Sequence, residues 1–331
     1  MELVIGYAIF FFCILMLGTI SGIFSERAGI VNIAINGFMI FGATIYAISS
    51  VIFTDFLKIT SMWSQIALTV ITVLGTMLFG LLFGLATVKL KSDQTISGFA
   101  INILALGVVS VVVLYITSRH QGGGTTIDSI LKRRELAWSS EVGSFKNIIS
   151  LKTFLVIIIA FGSWFALRKT RWGLRFRSVG ENPQAADVAG INVNRVKWQA
   201  LLIASAVAGI AGSFFAQNEV TIFANTKDIK GFGFIALAIM ITSRWRISLS
   251  VVISLFFSFL LSFSEYGLNV LGNELALYKD LLTILPYLVT LIIMVASSRN
   301  SAGPAATGIP YDKSKDKTKT TLVVFVLSFI A

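Results

Sequence analysis

Nine apolar runs organise this 331-residue chain, at 3–24, 31–52, 63–88, 95–117, 153–167, 199–216, 231–243, 247–264 and 281–297. A helix crossing a bilayer needs about 20 mostly apolar residues. Inside lipid the backbone must also satisfy its own polar groups, which leaves helices as the means of crossing. The runs therefore predict an all-α polytopic membrane protein of about eight to ten transmembrane helices. Runs 153–167 and 231–243 are short, so these are expected to be tilted, broken or re-entrant. The chain is 56% hydrophobic and 13% charged, against about 25% charged in soluble domains. That excludes a cytosolic enzyme, a nucleic-acid-binding domain and a disordered chain. The first run reads as a retained span, because Glu2 stands where a signal peptide carries basic residues and no A-x-A site follows.

The net charge of +11 becomes an orientation signal once it is distributed along the chain. Segments 25–30, 89–94, 168–198, 243–246 and 298–320 hold 17 of the 27 basic residues and 6 of the 16 acidic ones. Placing these segments on the cytoplasmic side puts the whole excess on one face, as the positive-inside tendency expects. Nine spans with an outer amino terminus satisfy that count. The first linker, Ser25 to Ile30, is the point where a broken helix would change it. On this reading residues 1–297 form a transmembrane domain with a cytoplasmic loop at 168–198 and an outer loop at 118–152. Residues 298–331 form a polar cytoplasmic tail with a short apolar end, Leu322 to Ala331.

Nothing in the sequence supports catalysis. Cys13 is the single cysteine and His120 the single histidine, so no catalytic residue, metal-ligand set or cofactor is expected. There is no P-loop pattern, and Gly122 to Gly124 lacks both the preceding strand and the following Lys-Ser/Thr. The spans are also poor in ionisable residues, which argues against an internal relay for ion coupling. They carry neutral polar groups instead, among them Asn32, Asn36, Gln94, Ser97 and Asn102. An amide both donates and accepts, which suits a neutral hydrogen-bonding solute. Interhelical hydrogen bonding explains such residues equally well. Asn32 and Asn36 stand four apart and share a helix face if that stretch is helical. Gly80 with Gly84, Ser205 with Gly209, and Ala208 with Gly212 are small pairs that let helices approach closely.

The cytoplasmic loop holds the most specific pattern, Gly173-Leu-Arg-Phe-Arg-Ser-Val-Gly-Glu-Asn-Pro-Gln-Ala-Ala-Asp-Val-Ala-Gly-Ile-Asn-Val193. Asn182 is a good N-cap, Pro183 suits the first helical position and Gly190 supplies a left-handed stop. This predicts a short helix framed by arginines. Such a helix needs packing to persist, from a docking partner or from anionic lipid. The segment resembles the coupling loop of membrane subunits of bacterial ABC importers, in the simple-sugar and nucleoside branch related to ribose and branched-chain amino-acid permeases. Ser25-Glu-Arg-Ala-Gly-Ile-Val-Asn-Ile-Ala-Ile-Asn-Gly37, Gln94-Thr-Ile-Ser-Gly-Phe-Ala-Ile-Asn-Ile-Leu-Ala-Leu-Gly107, Gly231-Phe-Gly-Phe-Ile-Ala-Leu-Ala238 and Ala302-Gly-Pro-Ala-Ala-Thr-Gly-Ile-Pro-Tyr311 agree with it. The chain departs from that family at Asn36, where an acidic residue is usual, and at Ser243-Arg-Trp-Arg-Ile247, which lacks a Gly/Pro-rich turn.

The resemblance implies a permease subunit of the bacterial cell membrane that imports nucleosides or simple sugars. Branched-chain amino acids or another small metabolite are the alternative. The implied partners are a cytoplasmic ATP-binding cassette subunit, a second permease (identical or a sister chain), an extracellular substrate-binding lipoprotein and membrane lipid, with no nucleic acid. The coupling helix would comprise Glu181, Asn182, Pro183, Gln184, Ala185, Ala186, Asp187, Val188, Ala189 and Gly190. Asn32, Asn36, Ser97 and Asn102 are the candidates for the substrate pathway.

Overall fold

The computed structural model describes residues 2–59, 61, 63–120, 150–218, 228–266, 279–298 and 303–312. The outer loop at 118–152 and the apolar end at 322–331 fall largely or wholly outside them. All regular elements among the described residues are helices. In order they are α1 (Glu2–Arg27), α2 (Ile35–Val51), α3 (Ser64–Gly84), α4 (Gln94–His120), α5 (Leu151–Lys169), α6 (Arg171–Glu181) and α7 (Pro183–Val188). Then follow α8 (Val193–Asn218), α9 (Phe232–Thr242), α10 (Ile247–Tyr266) and α11 (Lys279–Ser298). Seven helices are long and apolar enough to cross a membrane: α1 to α5, α8 and α10. The run at 231–243 folds as α9, whose 11 residues make a helix about 16 Å long, half the hydrocarbon thickness. The run at 281–297 lies within the 20-residue α11, which carries Pro286.

Helices α1, α2 and α8 form the centre. The α8 span is 72% buried and the α1 and α2 spans 67%, against 17% for α5. Around them α3 packs on α8 and α2, α4 on α2, α10 on α1, and α11 on α10 and α9. The small residues of α8 set the closest approaches. Gly209 meets Gly42 of α2 backbone to backbone, Ser205 meets Gly80 of α3, and Gly212 lies so near Met39 that a Cβ would come within 1.9 Å of its carbonyl oxygen. With little hydrophobic drive between helices in lipid, this close packing holds the centre together.

The chain breaks between α1 and α2. Gly29, at φ 79°, ends α1 with its N–H on the Glu26 carbonyl at 2.9 Å, while the Ile30 N–H reaches the Ser25 carbonyl at 3.1 Å. Residues 28–34 are not helical, yet Ala28, Ile30, Asn32 and Ala34 are fully buried. Helix α2 then runs back antiparallel to α1, with Ile35 beside Gly22 and Met39 beside Gly18. Helix α9 runs parallel to α1. Its Phe232 ring meets Phe11 edge to face at 5.4 Å, its Ala236 lies against Gly18, and the turn after it reaches Glu26. It therefore starts within the apolar layer and ends level with the end of α1.

That turn, Ser243 to Arg246, manages without glycine or proline. Arg244 and Trp245 take left-handed backbone at φ 52° and 54°, a cost of about 1–2 kcal/mol each for non-glycine residues. The Trp245 side chain offsets it. Its indole N–H donates to Glu26 Oε2 at 2.6 Å, and the Arg27 guanidinium donates to the Trp245 carbonyl at 3.1 Å. The interactions that replace a Gly/Pro turn are thus with α1, more than 200 positions away in the sequence.

Gly212→Ala is expected to lower the thermal unfolding midpoint of the purified protein, since overpacking costs about 1–3 kcal/mol. Gly107→Ala, with nothing within 4 Å of the new methyl, is expected to hold or raise the midpoint, because alanine is the better helix former. Equal shifts for the two variants would contradict the α2–α8 contact.

Candidate translocation and docking sites

Two features stand out: the buried break at 28–34 and the end of the bundle that carries α6 and α7. At the break, backbone groups without helical partners are met by side chains of α4. Gln94 Oε1 accepts the Val31 N–H at 2.7 Å. Asn102 works in both directions, its Oδ1 accepting the Gly37 N–H at 2.7 Å and its Nδ2 donating to the Ile33 carbonyl at 3.0 Å. The Ser97 hydroxyl donates to the Asp93 carbonyl at 2.7 Å and sits 2.8 Å from the Ser92 hydroxyl. These bonds give Gln94 and Asn102 the work of holding the broken segment, while both bonds of Ser97 stay at the start of its own helix.

Asn36 joins the two interrupted stretches. Its Oδ1 accepts the N–H of Gly233 in the first turn of α9 at 3.1 Å, and its Nδ2 donates to Asp228 Oδ1 at 3.3 Å. Gly233 permits the approach, since a Cβ there would lie 2.4 Å from Asn36 Cα. An acidic residue at position 36 would turn its second oxygen toward Asp228, so the amide is the group that fits. Asp228 lies just before α9. Lys230 of the same stretch pairs with Glu265 near the end of α10, and the Tyr287 hydroxyl of α11 donates to the Lys230 carbonyl at 3.1 Å. The composition of the apolar runs does not announce this polar group, because Asp228 and Lys230 precede the run and Glu265 follows its own.

Asn32 differs from the other three. It is fully buried, and neither its Nδ2 nor its Oδ1 has a partner among the described residues. Gln217 Oε1 at the end of α8 is likewise buried and unmatched among them. A buried unmet amide costs about 1–3 kcal/mol per group.

The candidate docking face is built from α6 and α7. Thr170 caps α6 by accepting the Gly173 N–H at 3.0 Å. Phe176, Val179 and Gly180 turn inward from that helix. Asn182 Oδ1 caps α7 through the Ala185 N–H at 2.9 Å, Pro183 opens it, and Gly190 at φ 82° closes it. Ala186 packs on Val179 and Val193. The opposite side, with Ala185, Val188 and Ala189, faces outward, and Val188 is 91% exposed. Glu181 is engaged with Arg27 at 3.9 Å. Residues 303–312 lie across this face. The Ala306 N–H donates to the Gly180 carbonyl at 2.9 Å, Lys91 pairs with Asp312 at 2.8 Å, and Tyr311 covers the Ala186 cluster.

This arrangement is a helical membrane bundle with interrupted helices inside it and a short exposed helix at one end. The family model described as "Branched-chain amino acid transport system / permease component" matches residues 4–298. The chain belongs to that family and is a multi-pass ABC transporter permease subunit of the cell membrane. It is 33% identical to the guanosine ABC transporter permease protein NupQ of Bacillus subtilis, over 91% of this chain and 93% of that one. It is 34% identical to the nucleoside ABC transporter permease protein NupC of Lactococcus lactis subsp. cremoris, over 95% and 98%. It is 35% identical to the uncharacterized protein MG121 of Mycoplasma genitalium, over 90% and 94%. No solved structure gives a significant match.

Asn102→Leu is expected to lower the unfolding midpoint markedly, since it strips partners from both Gly37 N–H and Ile33 C=O at about 1–3 kcal/mol each. Asn32→Leu, which breaks no hydrogen bond among the described residues, is expected to leave the midpoint unchanged or raised. Scanning fluorimetry of the two variants checks this, and a larger loss for Asn32→Leu would refute the assignment of roles.

Proposed function

We propose that this permease forms the pathway by which a nucleoside or simple sugar enters the cell, driven by separate ATPase subunits. The observation that carries this reading is the unmet Asn32 amide, buried at a break in the helices. Transporters hold solutes where helices inside a bundle are interrupted, and this break is buried where the α1 span ends and the α4 span begins. An amide that donates and accepts fits hydroxyls and base edges, and a solute that pairs with it relieves the cost of leaving it alone. Asn36 and Asn102 hold the wall of the pathway by their bonds across elements, and Ser97 caps the start of the helix that carries Asn102. The relatives named for guanosine and for nucleosides support the same solute class.

The α6–α7 end faces the cytoplasm in this reading, as the charge distribution argues. The exposed side of α7 enters a groove of the ATPase. Rearrangement of the ATPases during the cycle moves that helix and tilts the bundle. A second permease, identical or a sister chain, completes the pathway, and an external binding protein delivers the solute. The description of the matched family favours a second reading, branched-chain amino acids.

Asn32→Ala is expected to raise the KM for uptake of labelled guanosine about three- to tenfold, the worth of one neutral hydrogen bond, with surface expression unchanged. Unchanged KM would overturn the pathway assignment. An excess of leucine is expected to leave guanosine uptake intact, and competition by leucine would favour the second reading. Ala185→Trp and Val188→Glu are expected to abolish both ATPase pull-down and uptake. Retention of both would remove α7 from the coupling role.

A further inference from the structure

Four arginines with no comparable set of acids surround a cavity of about 330 Å³ where α1, α5, α6 and α10 meet. Arg27 ends α1, Arg168 lies in the last turn of α5, Arg246 immediately precedes α10, and Arg177 comes from α6. Trp164 and Trp245 complete its walls. Glu181 approaches Arg27 at 3.9 Å. Among the described residues, no carboxylate lies within salt-bridge distance of Arg168, Arg177 or Arg246. Like charges this close repel one another, so the cavity is built for an anion. Guanidinium groups match the paired oxygens of phosphate.

The position within the fold identifies the source of that anion. Three of the arginines sit at the ends of membrane-spanning helices, level with the lipid–water boundary, where tryptophan also concentrates. Below the cavity the surface is apolar and open. On α5, Phe161 and Ile157 lie one and two turns from Trp164 on the same face, 65% and 55% exposed. On α10, Val252 and Leu255 lie one and two turns from Ser248, 63% and 47% exposed. A free phosphate would use the arginines and leave this stripe unexplained. A phospholipid uses both.

We propose that this cavity binds the headgroup of an anionic phospholipid, with the acyl chains lying along the stripe formed by α5 and α10. Basic pockets between membrane helices hold such headgroups by the same chemistry. The site is distinct from the solute pathway and the docking helix. Since Arg27 and Arg177 also flank the α1–α6 junction, a lipid here fastens α5 and α10 to the part of the molecule that α7 moves.

The test uses the full-length permease purified in detergent, with phosphatidylglycerol and phosphatidylcholine of identical chains as probes. Native mass spectrometry is expected to show phosphatidylglycerol retained over phosphatidylcholine. The Arg168→Gln/Arg246→Gln double variant is expected to lose about thirtyfold of that preference, as befits two interfacial charges. Arg175→Gln/Arg195→Gln, which removes equal charge outside the cavity, is expected to keep it. Should the double variant fail to fold, Ser248→Glu, an exposed substitution on the cavity wall, is expected to abolish the preference by repulsion. An unchanged preference in either cavity variant overturns the proposal. So does an equal loss in the control variant, which would make the effect one of net charge. Displacement of phosphatidylglycerol by millimolar inorganic phosphate also overturns it, assigning the cavity to a free anion.

Discussion

A backbone N–H or C=O without a partner is tolerable in water and expensive in lipid. This chain leaves helical geometry in a buried stretch at residues 28–34, where the α1 span ends and the α4 span begins, and again before α9, within the apolar layer. Three amides make that possible. Gln94 and Asn102 reach from α4 to the first break, and Asn36 reaches from α2 to the first turn of α9. Without them the α1–α2 connection could not lie buried, α2 could not turn back against α1, and α9 would have no reason to begin halfway through the layer. The glycines serve the same frame, since Gly233 and Gly37 bring backbone within reach of an amide.

The frame also defines what is left over for function. An amide engaged at both ends is a structural bond, and a solute competing for Asn102 or Asn36 would have to break the fold to bind. Asn32 carries no such obligation among the described residues. Placed four residues before Asn36, it does not share a helix face with it, because helix α2 begins only at Ile35. The break separates the two amides in role as well as in geometry: one closes the structure and the other stays available.

The crossings were legible because hydropathy acts over some twenty residues and needs no knowledge of neighbours. Seven of the nine apolar runs became full spans, and the short run at 231–243 became the half-length α9. The cap of α7 was equally legible, since Asn182, Pro183 and Gly190 act locally. The division of labour among the amides was not, because Asn102 and Gly37 are 65 positions apart and nothing in either neighbourhood reveals the other. The turn at Ser243 to Arg246 shows the same limit. It lacks the usual turn residues, and the groups that hold it, Glu26 and Arg27, belong to the first helix. Residues 303–312 read as the start of a polar tail similar to the family's, yet they lie on the α6–α7 face through the bond to Gly180 and are tied to Lys91 just before α4.

That strap bears on how α7 is linked to the segment that holds Asn32. Gly180 at the end of α6 lies so close to α1 that a Cβ would come within 2.2 Å of the Arg27 carbonyl oxygen. The neighbouring Glu181 pairs with the Arg27 side chain. Ala306 bonds to Gly180 and lies against Gly29, and Gly308 lies against Val31. Asn32 is the next residue. From α7 to the break, then, the chain of contacts is short and largely backbone on backbone, with few flexible side chains to absorb a displacement. Close-packed interfaces of this kind move as units rather than deforming smoothly. In the proposed cycle a force on α7 therefore reaches the segment that holds Asn32 before it reaches the rest of the bundle.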